Sequence, residues 1–206
     1  MGTLRTIVIC GCVCVLMVSA GCLPEFENPL PESRAEEVSG ELLGCWWRTL
    51  EDGTVQQVSF LPRAESKKFD AVFAFGIKSK DGAAVDMFEV YSVDLGESFL
   101  CAQKQVMGER RMEEEQPYFI MNYEVREDGR LEIRMLSLEK FKAAVEGGEL
   151  AGTVKEKDES SRRPWDVVEV SASGEEVAEY IEKTPVSELV TDDEDLLLVF
   201  ERTPGF

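Results

Sequence analysis

A chain of 206 residues with 41 acidic and 22 basic side chains, formal net charge −19, repels the phosphate backbone of nucleic acid. Its basic pairs, Lys67-Lys68, Arg110-Arg111 and Arg162-Arg163, stand beside acids instead of forming a patch, so nucleic-acid binding is excluded. Histidine is absent, which removes the commonest general base, the usual zinc ligand and every Ser-His or Cys-His nucleophile pair.

The chain opens with one positive charge at Arg5, an apolar run from Ile7 to Val18, and the small residues Ser19, Ala20 and Gly21 before Cys22. That order is the n-region, h-region and cleavage site of a secretion signal over residues 1–21. The run is shorter than the ~18 to 20 residues of a permanent spanning helix and leads into acidic, proline-containing sequence, not a basic stop. Val18-Ser19-Ala20-Gly21-Cys22 resembles the lipobox of bacterial lipoproteins, with Ser19 where that family usually has Leu. The resemblance implies that Cys22 becomes the first residue of the exported chain and carries lipid, whose acyl chains contribute ~0.8 kcal/mol per buried methylene. It further implies a bacterial cell envelope location, membrane-anchored and facing the periplasm or the exterior. Two rival readings are an ordinary secretory signal and N-myristoylation at Gly2, whose pattern Thr6 completes but whose glycine normally leads into a soluble domain. Loss of residues 1–21 removes Arg5 and no acid, so the exported chain is one unit more negative still.

Residues 22–41, rich in Pro and Glu and without periodic apolar positions, read as an acidic tether. Residues 42–206 suit one domain with a sizeable core. Within it three Asp-Gly pairs, at residues 52–53, 81–82 and 128–129, mark hairpins, because these residues tolerate the positive φ of tight turns. The runs between them predict strands over Leu43 to Thr49, Val55 to Leu61, Phe69 to Ile77, Val85 to Leu95, Ser98 to Gln103, Pro117 to Glu124 and Arg130 to Leu136. Alternation is clearest at Phe69, Ala71, Phe73 and Phe75 and at Leu131, Ile133 and Met135. Leu138, Phe141 and Val145 then recur at helical spacing until Gly147-Gly148. A strand over Asp166 to Ala172 follows, and Ser173 with Glu176 predicts a capping box opening a second helix that ends before Pro185. Leu196 to Arg202 is the last strand. The expected fold is mainly β with two short helices, an antiparallel meander closed or nearly closed into a barrel, since closure removes unpaired edges. Outside the signal and Cys22, only Cys45 and Cys101 remain; an oxidising compartment permits them to pair, but both lie within apolar strand-like sequence, where a free buried thiol is common.

Leu43-Gly44-Cys45-Trp46 places a G-x-W element at the start of the first barrel strand. With hairpin-linked strands after it, this resembles the lipocalin and calycin pattern, as found in small lipocalin-like bacterial lipoproteins. The resemblance implies that Trp46 packs across the barrel floor and that Arg202, late in the last strand, covers it.

Chemistry is hard to find. With 41 acids no carboxylate pair stands out as a general acid and base. Glu113 to Glu115 reads as a solvated loop, and Asp192 to Asp195 lacks the alternation of a calcium loop and reads as an acidic turn. No catalytic residue, cofactor or metal site is expected. Trp46, Trp47, Phe60, Phe73, Phe75, Tyr91, Phe119 and Tyr123 supply aromatics that either fill an eight-stranded barrel or line room for one small ligand. The expected function is therefore binding without catalysis: a small hydrophobic ligand in the barrel or, with a filled barrel, an envelope protein partner, in both cases at a membrane reached through Cys22.

Overall fold

A computed structural model describes residues 23–77, 84–105, 116–156, 166–192 and 196–203 of the chain. The signal segment, Cys22, the Asp81-Gly82 turn, Arg110-Arg111, Glu113 to Glu115, Arg162-Arg163 and Asp193 to Asp195 lie outside the described residues. Along the chain come β1 (Glu25–Phe26), β2 (Gly44–Thr49), β3 (Val55–Pro62), β4 (Phe69–Ile77), β5 (Ala84–Asp94), β6 (Ser98–Gln105), β7 (Tyr118–Val125) and β8 (Arg130–Met135). There follow α1 (Leu138–Glu146), β9 (Gly152–Lys155), β10 (Val167–Val170), α2 (Gly174–Lys183), α3 (Val186–Leu189) and β11 (Leu197–Arg202).

Strands β2 to β8 pair in sequence order, and β11 inserts between β8 and β2. The result is a closed, eight-stranded antiparallel barrel. Because side chains alternate across a strand, one register carries the whole apolar set inward. Trp46 lies opposite Val58, which lies opposite Phe73; Phe69 lies opposite Val90, and Val90 opposite Ala102; Ile133 lies opposite Leu198. Two of the Asp-Gly pairs join neighbouring strands as expected. The Asp52 carboxylate accepts from the Thr54 N–H at 2.8 Å and the Asp128 carboxylate from the Arg130 N–H at 3.1 Å, local bonds that favour the turn.

β8 stops at Met135, opposite Met121, and leaves the Tyr118 end of β7 without that neighbour. β1 takes the vacated place, with Phe26 opposite Tyr118. It pairs on its other side in parallel with β10, which in turn pairs with β9. This side sheet and the helices cover the outer face of β5, β6 and β7. A second core forms there from Phe26, Leu30, Tyr91, Val93, Phe99, Cys101, Ile120, Phe141, Val177 and Ile181. α1 begins at Ser137, whose hydroxyl accepts from the Lys140 N–H. α2 begins with the expected capping box of Ser173 and Glu176. α2 can start where it does only with glycine at 174, because a Cβ there would stand 2.0 Å from the Pro29 carbonyl oxygen.

Two expectations need correction. Residues 23–41 are not a free tether: Leu23, Phe26, Leu30 and Ala35 are buried. The Glu36 N–H donates to the Ser92 carbonyl at 2.9 Å, and Asn28 Nδ2 donates to the carbonyls of Ser171 and Ala172. The segment has no helical or strand period because it crosses several elements and buries single residues at irregular intervals. Second, the strand over residues 167–170 belongs to the side sheet, outside the barrel, and two short strands, β1 and β9, join it there. A third, four-residue helix, α3, follows Pro185.

Cys45 and Cys101, for which pairing and free burial both stood open, do not pair. β2 and β6 are diametrically opposite in the ring, and both thiols point outward; both cysteines are free. A disulfide needs Cα atoms within about 7 Å. Cys101 lies in the second core, where burial pushes its thiol up to about 11, whereas Cys45 is partly exposed beside Ser59, whose hydroxyl donates to its sulfur. A thiol is nucleophilic only as the thiolate. Brief native treatment with iodoacetamide should therefore alkylate Cys45 and spare Cys101 until the protein is denatured; peptide mass mapping that found the two joined, or equally labelled in the native state, would contradict this placement.

Candidate functional site

The two ends of the barrel differ. At one, where β2 begins and β11 ends, large side chains close the interior, with Leu43 and Val125 partly buried at the rim. Trp46, Phe60, Phe69, Leu131 and Phe200 are each at most 1% exposed, and the rings of Phe60 and Phe69 meet edge to face at 5.9 Å. Trp46 Nε1 donates to the Leu42 carbonyl at 2.8 Å, so the last turn before β2 is tied across the barrel end. Gly44 permits the approach to β2 with φ of 120°, a conformation that side chains rarely adopt. The Arg202 guanidinium stands 5.1 Å from the Trp46 ring and donates to the Leu43 carbonyl at 2.7 Å. The G-x-W tryptophan and its arginine cover thus sit where the lipocalin-like resemblance implies.

The other end is where β2, β4, β6 and β8 finish and β3, β5, β7 and β11 begin. There the inward side chains keep access to solvent. Phe73, Phe75 and Met121 are 6%, 7% and 9% exposed, and Phe88, Phe119 and Leu196 are only partly buried. Phe73 stacks on Phe75 and meets Phe88 edge to face at 5.5 Å. Leu23 also belongs to this interior core.

Charged residues join this apolar mouth. Lys104 and Asp86 are close on neighbouring strands, Nζ to Oδ1 at 2.6 Å, and neutralise each other. Arg48, two residues beyond Trp46 and therefore also inward, is different. Its Nε donates to Gln56 Oε1 at 2.7 Å, one Nη donates weakly to the Leu197 carbonyl at 3.4 Å, and its Cζ lies 5.4 Å from the Phe200 ring centre. Among the described residues it has no carboxylate partner. Burial holds the Arg48 guanidinium below its ordinary pKa. By contrast Arg63 is raised by its bonds to Asp70 and Glu89, and Arg130 by Asp128.

Of the aromatics expected to line a barrel, Trp46, Phe60, Phe73, Phe75, Phe119 and Tyr123 face inward. Trp47 and Tyr91 face outward, and the Tyr91 hydroxyl donates to the Leu30 carbonyl in the second core. Sequence reasoning passed over Arg48, Gln56, Phe88 and Lys104. The first two were open to it: counting by twos from Trp46 places a charge at an inward position, and its cross-strand partner follows from the hairpin at Asp52-Gly53. Among the described residues no group of three or more Cys, Asp or Glu side chains converges as a metal site.

No family of known proteins, no curated protein and no solved structure matches this chain.

Proposed function

We propose that the chain is a bacterial envelope lipoprotein, exported and acylated at Cys22, whose barrel binds a small hydrophobic ligand at its mouth without catalysing a reaction. The observation that carries the binding half is the contrast between a floor closed by large side chains and inward phenylalanines, Phe88 and Phe119, that stay partly accessible at the other end. An eight-stranded barrel is wide enough for one small ligand, and apolar walls favour an apolar guest. The anchoring half rests on the residues before Cys22. Since Leu23 is packed into the body and consecutive Cα atoms are ~3.8 Å apart, acyl chains on Cys22 would hold the barrel directly against the bilayer rather than on a tether.

Each half has its own test. Replacement of Cys22 by Ser should move the protein from the membrane to the soluble fraction and abolish labelling by radioactive fatty acid; unchanged membrane retention contradicts acylation. Soluble protein beginning at residue 23 should bind 1-aminoanthracene saturably at one site. Phe119→Glu, at a partly exposed position, should weaken that binding about tenfold or more by placing a charge in the apolar mouth, with little change in stability. Lack of saturable binding by the wild type contradicts the reading. The closed floor favours a second reading, a filled barrel that meets an envelope protein partner; in that case the dye stays free and crosslinking in cells captures the partner.

A further inference from the structure

Charge is spread unevenly over the outside of the barrel. On β2 to β5 two neighbouring cross-strand ladders carry none. Trp47, Gln57, Ala74 and Val85 lie opposite one another in turn across the four strands, and so do Cys45, Ser59, Val72 and Met87. Leu61 follows on the same face of β3. Leu61 and Val85, 48% and 59% exposed, are the large apolar side chains that stand in solvent among the described residues. The apolar members of this face belong to neither core. At its border Asp70 and Glu89 are bonded by Arg63 and Lys68, two acids met by two bases. The outward positions of β8, by contrast, are Arg130, Glu132 and Arg134.

We propose that this face joins two copies of the chain in an isologous pair whose twofold axis runs along the strands between β3 and β4. Bodies of formal charge −19 repel one another and meet at least cost where neither presents a charge. The axis sets β3 of one copy against β4 of the other, and β2 against β5. A barrel wall is convex, so two of them fit closely when the middle side chains are short and those on the flanks are long. Ser59 and Ala74 stand on the middle strands, and Trp47 and Met87 stand on the flanks, where Trp47 of one copy leans toward Val85 of the other. A bilayer is a poorer occupant. β3 and β4 lie across the ring from β7 and β8, and β7 holds the N-terminal segment through Phe26 and Tyr118, so the face is turned away from the side of attachment. Pairing needs no ligand in the mouth, and it gains from anchoring at Cys22, since copies held in one surface meet at a raised effective concentration.

The test is crosslinking in cells that produce the full chain with Cys45→Ser and Ala74→Cys, because position 74 stands beside the axis and so comes close to its own copy. A short bismaleimide should give a covalent dimer joined at position 74, with a yield about tenfold or more above that from Cys45→Ser with Glu124→Cys, whose exposed site lies on the far wall. Adding Val85→Glu to the Ala74→Cys chain should cut the yield about tenfold by forcing a carboxylate into the apolar contact. The 59% exposure of Val85 lets the barrel fold with that change, and an unchanged thermal melt checks that it does. Equal yields from positions 74 and 124, or no loss with Val85→Glu, overturns the pair. So does a thiol at position 74 that reacts with N-ethylmaleimide in the native chain yet yields only monomer. An adduct that joins position 74 to a different protein also overturns it, and gives the face to a foreign partner.

Discussion

Phe26→Ala should lower the free energy of unfolding by about 3–5 kcal/mol, the range for losing a large aromatic from a closed core. Phe26 is fully buried although it stands in the proline- and glutamate-rich stretch before the barrel. Its ring meets Phe141 of α1 edge to face at 5.3 Å, an arrangement that adds to area burial alone. Its backbone joins β7 on one side and β10 on the other. Removing the ring opens a cavity where the N-terminal segment, the side sheet and α1 meet, and none of the three can close it alone. A denaturant titration reads the effect as a lower midpoint with an unchanged slope. A loss below about 0.5 kcal/mol, the ordinary cost at a surface position, would mean that residues 23–41 stand free of the body.

Trp46→Ala should be at least as damaging, about 3–5 kcal/mol for the ring and ~1 kcal/mol for the bond from Nε1 to the Leu42 carbonyl. The same substitution leaves that carbonyl short of a donor and removes the surface over which Arg202 lies, a contact worth ~0.5–2 kcal/mol. The coupling can be separated. In a double-mutant cycle with Trp46→Phe and Arg202→Met, the Arg202 change should cost less in the Trp46→Phe background than in the wild type, because phenylalanine offers a smaller and weaker face. Strict additivity would show that Arg202 acts only through its bonds to the Leu43 and Gly40 carbonyls.

Much of the barrel was legible because its signals are local. Phe69, Ala71, Phe73 and Phe75 show the alternation directly, and the hydrogen bonds of Asp52 and Asp128 lie within three residues. Ser173 and Glu176 announce a helix by reciprocal capping, and the tryptophan of the G-x-W element lies under Arg202 as the lipocalin-like resemblance implies. What could not be read depends on distant partners. β1 is two residues long, and its strand character comes from the gap that β8 leaves on β7. Leu23, Phe26, Leu30 and Ala35 are buried at unequal spacing, so no period exists to be counted. β9 is four residues with alternating partial exposure and is held by β10. The inward aromatics were named as a supply, but which of them stay accessible depends on the closing of one barrel end, which is a property of the assembled ring. Arg48 was visible as a charge out of phase with an apolar face; its lack of a carboxylate partner among the described residues is a fact of three dimensions.

The most direct measurement is photolabelling with a dodecanoate that carries a diazirine in its tail, followed by peptide mapping. The account predicts saturable labelling, suppressed by unlabelled dodecanoate, confined to β5 and β7 near Phe88 and Phe119. Labelling spread over outward-facing residues such as Trp47, or labelling that excess dodecanoate does not suppress, would contradict a ligand held in the mouth of the barrel.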